Sequence, residues 1–245
     1  MARRAPTLPR KCIFCGRSGD TVEITREHVW ADWLKEYIPK NDVRHTALHG
    51  IIERDGSLQH TIRTWGGDAQ SRRLRIVCRC CNNGWMGKLQ EHAKDILIPL
   101  ISGQPKVITQ IEQSILASWC AMAIMVAEYF NRTNVTLTQE HREFLRTMRH
   151  PPSCLRIWIG NYARHAWSGR WVHRSLRIAD EFVPNPEDPT LPLPNTQTST
   201  FVVGMLYFHV FSCEHDFILQ KVNASPQAVP LLAQIWPIRD RKSVV

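Results

Sequence analysis

No stretch of the 245 residues reads as a membrane span. The most apolar stretch, Ile115 to Ala127, has 13 residues with Ser118 among them, where a spanning helix needs about 20. It reads as a buried core helix. The start, Met1-Ala2-Arg3-Arg4-Ala5-Pro6, is basic, but no apolar stretch follows it, so no secretory signal is expected. Internal repeats and low-complexity tracts are missing too, which excludes a solenoid or array. Acidic residues are in short supply, 22 against 31 Lys and Arg, for a formal charge of +9. These absences predict a cytoplasmic protein with no membrane partner, and no feature points to a homo-oligomer. In that compartment paired cysteines bind metal more often than they form disulfides.

What is present is ordinary for a globular chain. The sequence is 43% hydrophobic and 22% charged, which argues against wholesale disorder. The basic excess is uneven, with 17 basic and 11 acidic residues up to Gln104, then 14 and 11 beyond it. A basic protein attracts polyanions, of which nucleic acid is the commonest.

Residues 1–11 read as a flexible basic arm. Thr21 to Thr25 alternates like a short strand ending at Glu27-His28, and Trp30 to Tyr37 fits a short helix. Strands are expected at His45 to Glu53 and Leu58 to Trp65, joined through the hairpin signal Asp55-Gly56. Leu74 to Val77 is a further strand. After Asn82-Asn83-Gly84, apolar residues from Trp85 to Leu97 recur at helical spacing until Pro99 stops the pattern. Gly103-Gln104-Pro105 is the expected boundary, giving domains 12–104 and 105–245. The second part should hold helices from about Leu116 to Phe130 and from Thr138, as N-cap, to before Pro151. Strands follow at Leu155 to Ile159, Trp171 to Ile178 and Phe201 to Phe211. Five prolines between Pro184 and Pro194 mark an irregular loop.

Cys12-x2-Cys15 and Cys78-x2-Cys81 form a four-thiolate set. Zinc prefers tetrahedral coordination by soft sulfur, and each turn presents two thiolates to one ion. The 62 residues between the pairs imply an element inserted between two knuckles. Cys80 could substitute, but C-x2-C geometry favours Cys78 and Cys81. Cys120, Cys154 and Cys213 lie in apolar contexts and read as small core residues.

Glu27 lies 12 residues beyond Cys15, and Asn82 directly follows Cys81. One ion tying the knuckles together would bring these groups close. A carboxylate and an amide oxygen are hard ligands suited to magnesium or manganese. The imidazole of His28, on the opposite face of the strand from Glu27, could deprotonate water. Either Asn82 or Asn83 could cap the helix; ligation is assigned to Asn82 and capping to Asn83.

Cys12-x2-Cys15, Glu27-His28-Val29 and Cys78-x2-Cys81-Asn82-Asn83-Gly84-Trp85-Met86 resemble the HNH, or His-Me finger, nucleases. The closest logic is their zinc-bearing branch, which includes the recombination endonuclease VII type. The resemblance covers about residues 12 to 97. It implies His28 as general base, Glu27 and Asn82 as ligands of a catalytic Mg2+ or Mn2+, and a structural Zn2+ on the four cysteines. The expected fold class is α+β: an N-terminal zinc-stabilised ββα-metal module with an inserted hairpin, as the resemblance implies, then a C-terminal α+β domain of two helices followed by a sheet, read from the apolar periodicity. This sequence departs from the pattern in three places. Glu27 replaces the more usual Asp or His, Asn82 stands where many relatives have a second His, and Arg73 occupies the place of the middle Asn.

Arg73, Arg75 and Arg79 fall broadly on one side of the last strand and knuckle, and are the expected phosphate contacts. Arg142, Arg146 and Arg149 recur at helical spacing as a second basic stripe. His45, His49, His60 and His92 are expected at the surface, and Trp30, Trp33 and Trp85 in the core. The expected function is a metal-dependent endonuclease acting on DNA. The alternative is a non-catalytic zinc-stabilised DNA-binding protein on a degenerate HNH scaffold.

Overall fold

The computed structural model describes residues 11–19, 21–37, 73–162, 171–178, 181–222 and 231–238, and the backbone pairing of 45–52, 58–65 and 243–244. The basic arm expected at 1–11 lies outside them except for Lys11, as do the turn at 53–57 and the side chains of His45, His49 and His60.

Helix and strand segregate along the chain, so the fold is α+β. Strand β1 (Ile24–His28) leads into a 3-10 turn, Asp32–Glu36, shorter than the helix expected from Trp30 to Tyr37. Strands β2 (His45–Ile52) and β3 (Leu58–Trp65) pair antiparallel with each other, the expected hairpin. Strand β4 (Arg73–Cys78) returns to pair antiparallel with β1, with Ile24 opposite Cys78 and His28 opposite Arg73.

A short helix α1 (Arg79–Cys81) follows, then a π-helical turn, Asn82–Met86, kinked at Gly84, then α2 (Gly87–Ile101). Two expectations fail here. The sulfur of Cys78 caps α1 by accepting from the Cys81 amide, and Asn83 makes no side-chain cap. Pro99 does not stop α2, which runs on to bury Leu100 and Ile101. A proline in the last turn forfeits one backbone hydrogen bond, and burial of two large aliphatic side chains offsets that loss.

The short strand β5 (Val107–Ile108) precedes α3 (Gln110–Ala127), which starts six residues before the expected Leu116. Thr109 and Glu112 form a capping box there, a T-x-x-E signal legible in the sequence but passed over. The whole segment Gln110–Phe130 is 21 residues, long and apolar enough to cross a membrane, but 78% of its most apolar window is buried inside the protein. Helix α4 (Gln139–Met148) carries the expected Thr138 cap.

The second sheet comprises β6 (Leu155–Asn161), β7 (Trp171–Leu176), β8 (Thr196–Val203), β9 (Leu206–Cys213) and, after α5 (Asp216–Lys221), β10 (Leu232–Trp236). All pairs are antiparallel, in the order β10-β6-β9-β8-β7, and a last strand, β11 (Ser243–Val244), pairs with β5. The single strand expected at Phe201 to Phe211 is thus the hairpin β8–β9. It turns at Gly204, whose φ of +56° an L side chain rarely adopts.

The apolar core is continuous from Cys12 to Ile235 and passes across the 104/105 boundary. Its centre is aromatic. Trp30, just after β1, packs edge-on against Trp171 of β7 at 6.2 Å and Phe201 of β8 at 5.6 Å. Phe201 stacks on Phe208 of β9 at 4.6 Å, and Trp119 of α3 closes the cluster at 5.7 Å from Phe208. Gln90 of α2 accepts from the indoles of both Trp33 and Trp119, so one half-buried amide ties the 3-10 turn after β1 to α3.

Candidate functional site

Two turns bring four sulfurs together. In the first, the Gly16 amide bonds to the Cys12 carbonyl at 2.9 Å, and the Ile13 amide bonds to the Ile76 carbonyl of β4, which docks the turn onto the β1–β4 sheet. In the second, the end of β4 runs directly into α1, so Cys78 and Cys81 face the same point. The ligand atoms of Cys12, Cys15, Cys78 and Cys81 all lie within 4.8 Å of one another, and this set could hold a structural metal ion. Soft sulfur in a tetrad suits an ion that prefers four thiolates. Cys80 is exposed and stands outside the set, while Cys120, Cys154 and Cys213 are buried, as expected.

The tetrad is electrostatically loaded. Hydrogen bonding from Cys81 holds the Cys12 thiol down to about 4, and Cys81 is pushed up in return. Negative charge on Cys15 raises the pKa of Arg17 beside it. Trp85, from the turn after Cys81, meets Phe14 of the first knuckle edge-on at 5.0 Å, and Arg149 lies 5.1 Å over the same indole. Arg149 closes α4 with a left-handed φ of 62°. The second part of the chain therefore covers the sulfur centre.

This corrects the second basic stripe. Arg142 is not on a solvated face; it is buried and paired with buried Glu128 at 2.8 Å. Arg146 pairs with Glu143, and Arg149 is committed to Trp85. An arginine periodicity on an amphipathic helix does not reveal that a glutamate 14 residues away lies under it.

Beside the tetrad, at the far end of β1, lie the hard-ligand candidates. Glu27 is 8% exposed, and burial pushes its carboxyl up to about 7 against the opposing hydrogen bond from Asn82. Asn82 also donates to Thr25 Oγ1 at 3.1 Å, so β1 fixes the amide from below. Glu27 and Asn82 are thus brought together. His28 follows Glu27 and is half-buried on the other side of the strand. Arg73 Nε donates to its Nε2 at 2.7 Å, and Asp32 Oδ1 lies 3.2 Å from the same nitrogen. The His28 pKa is lowered, first by burial and then by Arg73, with Asp32 opposing.

Arg73, Arg75 and Arg79 are all exposed, on or just past β4. Arg73 is turned toward His28, and Arg79 pairs with Glu23 at 2.7 Å. Both partners of that pair are exposed, so it costs little to break. Sequence reasoning missed Asp32 and the Arg73–His28 contact. Asp32 stood four residues after His28, within reach across one turn. The Arg73 contact depends on strand register and had no local signal. Of the expected surface histidines with described side chains, His92 is exposed; Trp30 and Trp85 are buried and Trp33 is half-buried.

Comparison of the chain with protein-family models, with curated proteins and with solved structures finds no match in any of the three. The functional reading therefore stands on residues and geometry.

Proposed function

We propose that this protein is an HNH-type endonuclease that hydrolyses phosphodiester bonds of DNA in a metal-dependent reaction. The observation that carries the reading is the pairing of Glu27 with Asn82, with His28 next to Glu27 in β1, beside a four-sulfur tetrad. The tetrad would hold zinc, and its role would be structural, because four protein sulfurs leave no open position for substrate.

Glu27 and Asn82 would hold a magnesium or manganese ion. They fit one: a buried carboxylate whose charged form is disfavoured, with a neutral amide beside it, is a group that a hard cation would satisfy. When bound, such an ion supplies charge stabilisation at the phosphate and the leaving oxygen. His28 takes a proton from the attacking water. Arg73, Arg75 and Arg79 hold phosphates along β4.

One observation favours the second reading, a zinc-stabilised DNA-binding protein without catalysis. Arg73 replaces the middle Asn and occupies His28 Nε2. A plasmid-nicking assay in magnesium or manganese separates the two. Wild type should nick, and His28→Ala should keep its zinc and most of its DNA affinity while cleavage falls about 10²–10⁴-fold. Binding without cleavage in every divalent metal would establish the second reading. Equal cleavage by His28→Ala would remove His28 from the active site.

A further inference from the structure

His28 has no free lone pair at Nε2. Arg73 Nε donates to that nitrogen at 2.7 Å. A neutral imidazole that accepts at Nε2 carries its proton on Nδ1, so neither nitrogen can then take a proton from water. The opposite arrangement, Nε2–H donating to Asp32, would aim two hydrogens at each other across 2.7 Å. Asp32 Oδ1, 3.2 Å from Nε2, is instead held by Lys35 of the same 3-10 turn. Lys35 leads the causes that lower the Asp32 pKa, and Arg73 comes last among them.

We propose that Arg73 is a latch that masks the base nitrogen of His28 in the free protein and is drawn off by a phosphodiester entering the site. The masking is read from the contact itself; its release by substrate rests on the nuclease reading above. A phosphate offers a charged, bidentate acceptor, and such hydrogen bonds are roughly twice as strong as those to a neutral partner. Arg73 is exposed and is the first residue of β4, so its side chain can turn toward an incoming backbone. The same motion that binds a phosphate then bares the base next to it. This accounts for an arginine in the place of the middle Asn: the residue restrains the base until a phosphate arrives.

The test uses diethyl pyrocarbonate, whose carbonyl is attacked by a free imidazole lone pair with loss of ethyl carbonate, and modification of His28 is read by mass spectrometry. The exposed His92 of the same molecule is the internal reference. At about pH 8 an ordinary imidazole is neutral, so protonation does not set the rate. Arg73→Met keeps the aliphatic stem but cannot donate. His28 in this variant should react roughly tenfold faster than in wild type, the scale of one charge-assisted hydrogen bond. Arg73→Ala should behave alike. Dimethyl phosphate at high concentration should accelerate wild type toward the variant rate and leave the variants unchanged. Equal rates in wild type and both variants would overturn the masking. A wild type indifferent to the diester would overturn the release. Failure of wild type to nick DNA would sink the nuclease reading alone, since these rates are measured without cleavage.

Discussion

His173 of β7 has Nδ1 2.8 Å from the Ser199 hydroxyl and Nε2 3.3 Å from the Asn134 carbonyl. One nitrogen donates and the other accepts, so the neutral ring is satisfied where it lies. Burial, opposed only by the Asn134 carbonyl, pulls its pKa from the ordinary 6.5 down to about 4. The unfolded chain therefore binds a proton that the folded one refuses. Between those two values stability rises with pH, and it is lost as pH falls from about 6.5 toward about 4. Urea unfolding should show about 2 kcal/mol less stability from this group at pH 5 than at pH 7. His173→Gln should flatten that slope even if it lowers the absolute stability. An unchanged slope would assign the acid loss to another group. Nothing local announced this histidine; the alternation of β7 places it inward, but only the neighbouring strand and the turn at 132–134 supply its partners.

At the scale of elements, the second knuckle does two things at once. Cys78 ends β4, belongs to the sulfur tetrad, and caps α1 by accepting from the Cys81 amide at 3.4 Å. Loss of the metal should therefore loosen the strand end and the helix start together. The purified protein should contain about one zinc per chain, and a chelator should unfold the β1–β4 sheet and the helix after it. Cys78→Ser keeps a capping oxygen but loses the soft ligand, so it should lose zinc and helix signal in circular dichroism. Normal folding of Cys78→Ser, with no zinc in wild type by elemental analysis, would sink the site. The C-x2-C pairs made this element legible, because metal ligation imposes a spacing that the sequence records directly. The capping sulfur was not legible, since Asn is the commoner cap and the rule for it is statistical.

Across the whole molecule, the sulfur centre and the second sheet share one core. Trp30 reaches from the turn after β1 into Trp171 and Phe201. The tip of β8–β9 meets the end of α2, where the Met205 amide bonds to the Ile101 carbonyl at 2.9 Å. A side chain at Gly204 would place its Cβ 2.5 Å from that same carbonyl oxygen. Trp30→Ala should cost about 3–5 kcal/mol in denaturant unfolding, as for other buried aromatics. A loss below about 1 kcal/mol would mean the two parts are not held together there. The basic excess also acts at this scale. If Arg73, Arg75 and Arg79 each meet one phosphate, replacing all three should reduce the slope of log affinity for DNA against log salt by about 2–3. An unchanged slope would move the binding face off β4.

By itself the sequence determined the four cysteines that meet, the neighbourhood of Glu27 with Asn82, and most strands and helices. Each of these follows from a short-range rule: ligand spacing, alternation, helical periodicity, or a turn residue at a fixed offset. Only the tertiary structure decided that Arg142 is buried against Glu128, that Arg149 covers the sulfur centre through Trp85, and that Arg73 holds His28. An arginine reads the same in sequence whether it faces water, an indole or an imidazole. Its role is set by which distant segment packs beside it, and that is fixed by strand register and by the shape of the shared core rather than by any neighbour along the chain.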